Sequence, residues 1–324
     1  MYKAIRFHEV GGPEVLFHED IDIADPGSGE VRIRQKAAGV NFIDVYQRSG
    51  LYKVPLPAIA GNEGAGIVEA VGEGVTLIKP GDRVAYAGRA GSYCEARNIP
   101  ADRICILPDA LSFDQAAAIM LKGLTVQYLI RKTYRVQRGD TVVFHAAAGG
   151  VGLIACQWLK SLGATVIGTA GSTEKCELAL RNGADFCINY RTESFVERVK
   201  EITNGEGVPV VYDSVGKDTF ESSLKCLRPY GLLVSFGNAS GTVPPLDIAI
   251  LAQLGSLYIT RPTLATYTAQ HSDLDIMAKE LFMMVTSGTI RIDINQRYCL
   301  KDAAQAHRDL ESRKTKGSSI LILD

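Results

Sequence analysis

The chain has 324 residues, 46% of them hydrophobic and 22% charged, and its formal net charge at pH 7 is −1. This length favours two domains over a single core, and the near-neutral charge argues against a broad nucleic-acid-binding surface. No apolar run is long enough for a membrane span and the N-terminus has strand character, so we expect a cytoplasmic protein. The seven cysteines include no C-x-x-C pair, which argues against a disulfide framework.

Strand-like segments dominate the first 108 residues, and turns such as Gly11–Pro13 and Lys79–Asp82 separate them. This punctuation predicts an antiparallel, barrel-like domain. The candidate strands are Tyr2–Phe7, Val31–Ala38, Gly66–Val71, Arg83–Ala87, Ser92–Ala96 and Ile104–Leu107. Ser112 and Gln115 then form a capping-box pattern, which predicts the start of a long helix that leads into the next domain.

Between residues 141 and 260, β-branched runs recur at a steady interval, with helical stretches between the earlier ones. This alternation predicts parallel strands with right-handed crossovers, and six strands predict a complete doubly wound sheet. The candidate strands are Thr141–Phe144, Thr165–Thr169, Phe186–Asn189, Pro209–Tyr212, Leu232–Phe236 and Ser256–Thr260. The candidate helices are Leu153–Leu162, Thr173–Arg181, Ser194–Thr203 and Asp218–Leu227.

After about residue 262 the pattern becomes helical, over Leu274–Ser287 and Lys301–Ser312, and a strand over Ser318–Leu323 ends the chain. This segment is expected to return to the first domain. We therefore predict one domain formed by residues 1–123 and 262–324, and a nucleotide-binding domain formed by residues 124–261.

A glycine-rich turn joins the first strand of the predicted parallel sheet to the following helix. The spacing Ala147-x-Gly149-x-x-Gly152 is an Ala-first form of the dinucleotide fingerprint. Small residues there let the backbone approach a pyrophosphate, to which the helix presents its first N–H groups. The motif alone would equally fit a tight turn, but its place after the first of six strands favours a dinucleotide site. The predicted contacts are Gly149, Gly150, Val151 and Gly152.

The second strand of this sheet ends without the acidic residue that commonly holds the ribose 2′-hydroxyl of NAD. Ser172, Lys175 and Tyr190 could instead surround a 2′-phosphate, so we predict NADPH as the cofactor. A charge-assisted lysine–phosphate contact contributes roughly 1.5–3 kcal/mol, which predicts a preference for NADPH of roughly tenfold or more. Alternatively, Lys175 is a solvated helix residue, and Glu174 argues mildly against a bound phosphate.

Other cofactor candidates follow from the rule that open parallel sheets bind ligands at the carboxyl ends of their strands. The residues at or just after the predicted strand ends are Gly171, Ser214, Phe236, Gly237, Asn238 and Arg261. For Arg261, the alternative is a plain surface charge. Thr125 and Tyr128, on the helix that leads to the sheet, face either the cofactor or the core.

The order of barrel, capped helix, nucleotide domain and returning segment resembles the medium-chain dehydrogenase/reductase superfamily. Pro57-x-x-x-Gly61-Asn-Glu63 is similar to its G-H-E motif, and Val40–Asp44 lies where zinc-dependent members carry Cys-x-x-Asp. Six segments together resemble its zinc-free quinone oxidoreductases, the zeta-crystallin relatives, and most of all the bacterial NADPH:quinone reductases. These segments are Asn41–Tyr46, Ser49–Tyr52, Leu121–Thr125, Ala146–Gly152, Tyr212–Gly216 and Ser235–Asn238. The resemblance implies the fold class: α/β, with a GroES-like antiparallel β-barrel domain plus a doubly wound six-stranded parallel (Rossmann) domain.

One departure from the superfamily pattern bears directly on chemistry. The catalytic zinc ligands Cys and His correspond here to Asn41 and Asn62, and a neutral amide is a poor zinc ligand. The four closely spaced cysteines of the structural zinc lobe are also missing. We therefore predict no metal. Without a Lewis acid, the favoured acceptors are those that take hydride readily, such as quinones and activated alkenes.

The resemblance also implies a catalytic site in a cleft between the two domains, where a planar acceptor meets the nicotinamide C4. The residues that would line it from the barrel side are Asn41, Asp44, Tyr46 and Tyr52, and Asn41 would also touch the cofactor. Arg313 would approach the cofactor phosphate, or could instead belong to a solvated helix end. Tyr46 and Tyr52 could stack on a quinone and donate an O–H to a quinol oxygen, or be ordinary half-buried aromatics. Asn41 and Asp44 could instead shape a turn and cap a short helix. No obvious acid or base emerges, so we expect catalysis by positioning.

Two alternatives to quinone reduction stay open at this point. One is an NADPH-dependent reductase of alkenals or enones. The other is a zeta-crystallin-type cofactor-binding protein with a structural or RNA-binding role, although the near-neutral charge argues against strong RNA binding. The resemblance further implies a homodimer, for which the apolar edge strand Ser256–Thr260 is the candidate seam.

Overall fold

The computed structural model describes residues 1–323 and divides into two compact units. The first unit comprises Met1–Leu124, Tyr267–Gly288 and the chain from Ile292 onward. The second comprises Thr125–Thr266 and Thr289–Arg291. No helix in the described chain is both long and apolar enough to cross a membrane.

Within residues 1–323, sixteen strands and ten α-helices form the two units. The strands are β1 (Tyr2–Phe7), β2 (Phe17–Ile21), β3 (Glu30–Val40), β4 (Ala58–Ile59), β5 (Glu63–Val71), β6 (Arg83–Ala87), β7 (Ala96–Pro100), β8 (Ile104–Ile106), β9 (Thr141–Phe144), β10 (Thr165–Ala170), β11 (Phe186–Asn189), β12 (Val208–Asp213), β13 (Leu227–Ser235), β14 (Tyr258–Thr260), β15 (Ile294–Cys299) and β16 (Ser318–Ile322). The helices are α1 (Phe42–Arg48), α2 (Phe113–Tyr128), α3 (Gly150–Ser161), α4 (Thr173–Arg181), α5 (Phe195–Ile202), α6 (Phe220–Leu224), α7 (Ala249–Gln253), α8 (Leu264–Tyr267), α9 (His271–Thr286) and α10 (Ala303–Glu311). Shorter helical turns are Pro13–Val15, Ala101–Arg103, Leu300–Asp302 and the π-helical Leu129–Thr133.

The first unit contains a small sheet, β2-β1-β4, and a larger one in the order β15-β16-β3-β5-β6-β8, with β7 also paired to β3. Its neighbouring strands are antiparallel except β15 and β16, which run parallel. The predicted antiparallel domain is therefore confirmed. Along β3, alternate residues such as Val31 and Ile33 are buried, as expected for a sheet with one face in a core.

One of two local predictions in this unit needs adjustment. The strand predicted over Ser92–Ala96 lies instead at Ala96–Pro100, because residues 92–95 bond elsewhere. Cys94 forms a lone bridge to Ala4, and Glu95 N–H donates to the Lys3 carbonyl. The predicted capping box is confirmed, since Ser112 N–H donates to Gln115 Oε1 at 3.0 Å and Gln115 N–H to Ser112 Oγ at 3.1 Å.

The second unit is a six-stranded, fully parallel sheet in the order β11-β10-β9-β12-β13-β14, which confirms the predicted doubly wound topology. Successive strands run outward in both directions from the β9–β12 pair, so the glycine-rich loop after β9 lies at the topological switch point. The helix predicted over Asp218–Leu227 is shorter, because Leu227 already pairs with Val208 and belongs to β13.

Candidate active site

Helix α1 begins directly after β3, and its first turn brings Asn41 and Asp44 together. Asn41 N–H donates to Asp44 Oδ2 at 2.8 Å, so the carboxylate caps the helix end where negative charge is favoured. Asp44 therefore makes the helix-capping contact that the sequence analysis gave as the alternative to a catalytic role. Both side chains are buried, at 6% and 1% exposure.

Glu63, at the start of β5, is a fully buried carboxylate held by three donors. Asn41 Nδ2 and Lys122 Nζ reach Oε2 at 2.8 and 3.1 Å, and Leu121 N–H reaches Oε1 at 2.7 Å. A side chain at Gly39 would place its Cβ 2.1 Å from Oε2, so glycine is required beside it. The pairing with Lys122 balances the buried charge of Glu63.

Asn62 has the same relation to Asp44 that Asn41 has to Glu63. Its Nδ2 donates to Asp44 Oδ1 at 2.8 Å and to Gln47 Oε1 at 2.6 Å. At both positions where zinc-dependent relatives carry ligands, an amide NH₂ thus faces a carboxylate. A metal ion there would meet N–H groups rather than lone pairs, so these residues do not fit a metal. Among the residues that the structure describes, no cluster of three or more His, Cys, Asp or Glu side chains could hold one.

Behind Asp44 lies a buried chain of polar side chains. Tyr93 OH donates to Asp44 Oδ2 at 2.9 Å, and His307 Nε2 lies 3.3 Å from the Tyr93 oxygen. Arg48 Nη1 lies 3.3 Å from His307 Nδ1. Because a guanidinium can only donate, we infer that Nδ1 is unprotonated and that Nε2–H donates to Tyr93. Arg48 is itself held by Glu311 through two bonds of 2.9 and 2.8 Å.

Burial shifts the pKa values of two side chains in this buried polar row, Asp44 and His307. Desolvation raises the pKa of Asp44 to about 6, although hydrogen bonds from Asn62, Asn41 and Tyr93 oppose the shift. Desolvation, together with the charge of Arg48, lowers the pKa of His307 to about 3. His307 is therefore neutral at physiological pH, in agreement with its tautomer.

Tyr46 and Tyr52 form an aromatic pair next to this cluster along the chain. Their ring centroids are 5.2 Å apart in an edge-to-face arrangement, and Tyr52 N–H donates to the Tyr46 carbonyl at 2.9 Å. Tyr46 is 8% exposed, whereas Tyr52 is half-buried. Tyr52 matches the half-buried aromatic of the alternative, whereas Tyr46 is more deeply buried, and stacking of either ring on a quinone stays a prediction.

In the second unit, the glycine-rich turn leads from β9 into α3 with Gly149 as the N-cap. Gly149 N–H donates to the Ala146 carbonyl at 2.9 Å, which closes the turn. A Cβ at Gly152 would lie 2.4 Å from the Ala146 oxygen, so only glycine lets α3 pack this closely. The first N–H groups of the helix, from Gly150 and Val151 onward, have no intrahelical acceptor and suit an anion.

The residues predicted to surround a 2′-phosphate lie close together at the ends of β10 and β11. A Cβ at Gly171 would lie 2.6 Å from the Tyr190 hydroxyl, which places the two in contact. Ser172 is the N-cap of α4, and its Oγ accepts from Lys175 N–H at 3.3 Å. Tyr190 is 37% exposed and Lys175 is half-buried.

Asp213, at the end of β12, fixes the loop that contains Ser214. Its buried carboxylate accepts from Val215 N–H at 2.8 Å and Gly216 N–H at 3.0 Å. The hydroxyls of Thr219 and Ser223 also donate to it. This loop packs on the next strand end, because a Cβ at Gly237 would lie 2.4 Å from the Ser214 oxygen.

His145, directly after β9, is linked to the same carboxylate through the Ser223 hydroxyl. Its Nε2 lies 2.9 Å from Ser223 Oγ, its Nδ1 lies 2.8 Å from Thr169 Oγ1, and it is fully buried. Burial lowers its pKa, although the charge of Asp213 opposes the shift. These contacts give His145 a structural role, since it connects Thr169 to Ser223 in the buried part of the sheet.

The remaining predicted cofactor contacts differ in their exposure and in their hydrogen-bond partners. Arg261 is exposed, and its Nη1 donates to the carbonyls of Ser235 and Gly237 at 3.1 and 3.0 Å. Phe236 follows β13, with its ring 5.8 Å from that of Phe144, and Asn238 accepts from Gly241 N–H at 2.9 Å. Tyr128 is buried and Thr125 is half-buried on α2. Arg313 is exposed just after α10, with a φ of 59°.

Two family models match the chain: "Alcohol dehydrogenase GroES-like domain" over residues 27–137 and "Zinc-binding dehydrogenase" over residues 150–279. A quinone oxidoreductase from Pseudomonas aeruginosa is 56% identical, over 99% of this chain and 100% of its own length. The crystal structure of Escherichia coli quinone oxidoreductase complexed with NADPH matches with a TM-score of 0.97 at 55% identity, covering 99% of each chain. A 2-haloacrylate reductase from a Burkholderia species is 43% identical, over 99% of each.

Proposed function

Because the chain belongs to the bacterial quinone oxidoreductases of the medium-chain dehydrogenase/reductase superfamily, we propose that it reduces quinones with NADPH and without a metal. One observation supports the proposal that the reaction needs no metal. Asn41 and Asn62 both turn an NH₂ toward a carboxylate at the positions of the metal ligands. The reaction is then quinone + NADPH + H⁺ → hydroquinone + NADP⁺.

The residues divide into two roles under this proposal. When bound, the nicotinamide supplies the hydride. The first turn of α3 holds the pyrophosphate through backbone N–H groups, and Ser172, Lys175 and Tyr190 hold the 2′-phosphate. Tyr46 and Tyr52 stack on the planar acceptor.

An acceptor panel tests the proposal directly. We expect the purified protein to oxidise NADPH with 1,4-benzoquinone and 9,10-phenanthrenequinone, at the same rate with and without EDTA. Metal analysis of the active protein should find well under one metal ion per chain. Stoichiometric zinc, together with loss of turnover on its removal, would contradict the metal-free mechanism.

The same fold also supports a second candidate, reduction of an alkene activated by a carbonyl group. The similarity to a 2-haloacrylate reductase favours it, since that relative's name refers to an unsaturated acid. Adding 2-chloroacrylate and a 2-alkenal to the panel separates the two. A kcat/KM for either that exceeds those for the quinones would make the alkene the better substrate class.

A further inference from the structure

Lys122 is a buried ammonium whose hydrogen-bonding capacity is mostly unused. Its side chain is 6% exposed, and it lies on α2. Within residues 1–323, its Nζ makes one polar contact, to Glu63 Oε2 at 3.1 Å. An ammonium has three N–H donors, so two are left for a ligand.

The position of this ammonium is fixed relative to Asn41. Asn41 Nδ2 and Lys122 Nζ bind the same oxygen of Glu63. Leu121 N–H holds the other oxygen, and Gly39 packs against the carboxylate from one side, where a Cβ would lie 2.1 Å from Oε2. The positive charge is therefore fixed beside the position where zinc-dependent relatives hold a metal.

We propose that Lys122 is a catalytic residue that takes over the electrostatic role of that metal. This inference rests on the proposed function. Hydride transfer from nicotinamide C4 oxidises the cofactor to NADP⁺ and converts the quinone into a hydroquinone monoanion. A free N–H of Lys122 donates to the anionic oxygen. This hydrogen bond joins two charged groups and is therefore stronger than the bond that the same N–H would make to the neutral quinone oxygen. The ammonium keeps its proton, and solvent supplies the proton that completes the hydroquinone.

A phenol indicator tests this without turnover. In this test, 4-nitrophenol is added to NADP⁺-bound protein, and the absorbance of nitrophenolate is followed as the pH is raised. An ammonium at the oxygen favours the anion, so we expect the pKa of bound nitrophenol to fall by about one unit, a tenfold shift in the equilibrium.

The variant must avoid a charged, buried Glu63 without a cation, because such a charge strongly destabilises a fold. We therefore use the double variant Lys122→Met/Glu63→Gln, with folding checked by circular dichroism. Lys301→Met removes an exposed lysine of the same unit and serves as the control. In the double variant we expect the nitrophenol shift to disappear and kcat to fall at least tenfold, while KM for NADPH stays within threefold.

The two proposals fail in different ways. If the double variant is folded and keeps both its nitrophenol shift and its kcat within threefold, Lys122 is not catalytic. The absence of a shift in the unmutated protein would have the same meaning. If the unmutated protein reduces no quinone or alkene but binds nitrophenolate through Lys122, the proposed function fails and the anion site stands.

Discussion

At the scale of single residues, we propose that the Lys175 side chain selects NADPH over NADH by contacting the 2′-phosphate. Its backbone N–H supports the Ser172 cap, so truncating the side chain leaves the cap in place. We expect Lys175→Ala to reduce a preference for NADPH of roughly tenfold or more to near unity, through loss of one charge-assisted bond. The measurement is kcat/KM with NADPH and with NADH.

Lys200→Ala, which removes an exposed lysine from α5, is the matched control and should leave the preference unchanged. Because NADH has no 2′-phosphate, its kcat/KM should be the same in all three proteins. Equal kcat/KM for the two cofactors in the unmutated protein would show that Lys175 has no such role.

Some residues of the candidate site in the first unit could be singled out from the sequence, whereas their hydrogen-bond partners could not. Asn41 and Asp44 could be singled out because they belong to a recognisable local segment. Glu63 and Lys122 also lie in segments that carried the resemblance, but their pairing joins residues 59 positions apart. Tyr93 and His307 are 214 positions apart, and no local pattern links them. Only the tertiary fold brings such pairs together.

At the scale of elements, the turn between β9 and α3 contains two glycines that we expect to serve different purposes, Gly152 for packing and Gly149 for cofactor binding. A Cβ at Gly152 would meet backbone 2.4 Å away, whereas at Gly149 the nearest atom would be 3.2 Å away. We expect Gly152→Ala to lower the free energy of unfolding by about 1–3 kcal/mol, as overpacking does. Gly149→Ala should leave stability nearly unchanged, because its φ of −81° suits alanine. Urea unfolding of the cofactor-free proteins measures the difference.

Cofactor titration completes the comparison between these glycines. If the pyrophosphate lies against the N-terminus of α3, an added methyl at Gly149 obstructs it, and the Kd for NADPH should rise at least tenfold. Gly149→Ala would then be stable but impaired in binding. Full binding by a stable Gly149→Ala protein would place the pyrophosphate elsewhere.

Elements were predictable where local pattern and long-range pairing agree. The alternation of apolar and polar residues at the start of β3 and the apolar runs of β9 and β12 could be recognised directly from the sequence. Around Cys94 and Leu227 the pattern failed, because pairing with Ala4 and Val208 determines the conformation there. The polar strand β15 has no apolar run to mark it and becomes a strand by pairing with β16.

At the scale of the whole molecule, the buried chain from Asp44 to Arg48 makes stability depend on pH. The pKa of His307 is about 3 in the folded state and 6.5 ordinarily, so the unfolded chain binds its proton first as the pH falls. Its contribution is complete above about pH 6.5 and is lost as the pH falls toward 3. Asp44, with its pKa raised to about 6, has the opposite sign, and its contribution is lost as the pH rises from about 4 to 6.

We therefore expect His307→Gln to flatten the acid side of the stability profile. The difference in unfolding free energy between the variant and the unmutated protein should change by about 1.4 kcal/mol per pH unit between pH 6 and 4. Urea unfolding at four pH values measures it, and His18→Gln, at an exposed histidine, is the control. Parallel profiles for His307→Gln and the unmutated protein would mean that the buried histidine is charged in the folded state.

Strand β14 presents an unpaired edge that we propose as the seam of a homodimer. It is the last strand in the order of the second unit's sheet, and Tyr258 on it is 60% exposed. An apolar edge invites pairing, and a second copy related by a twofold axis would cover both edges at once. We expect the unmutated protein to sediment as a dimer and Tyr258→Lys to shift it toward monomer, since lysine on an edge strand opposes pairing. Leu77→Lys, at an 88% exposed position in the first unit, should remain dimeric. A monomer at tens of micromolar without any substitution, or a Tyr258→Lys protein as dimeric as its parent, would assign this edge no role in assembly.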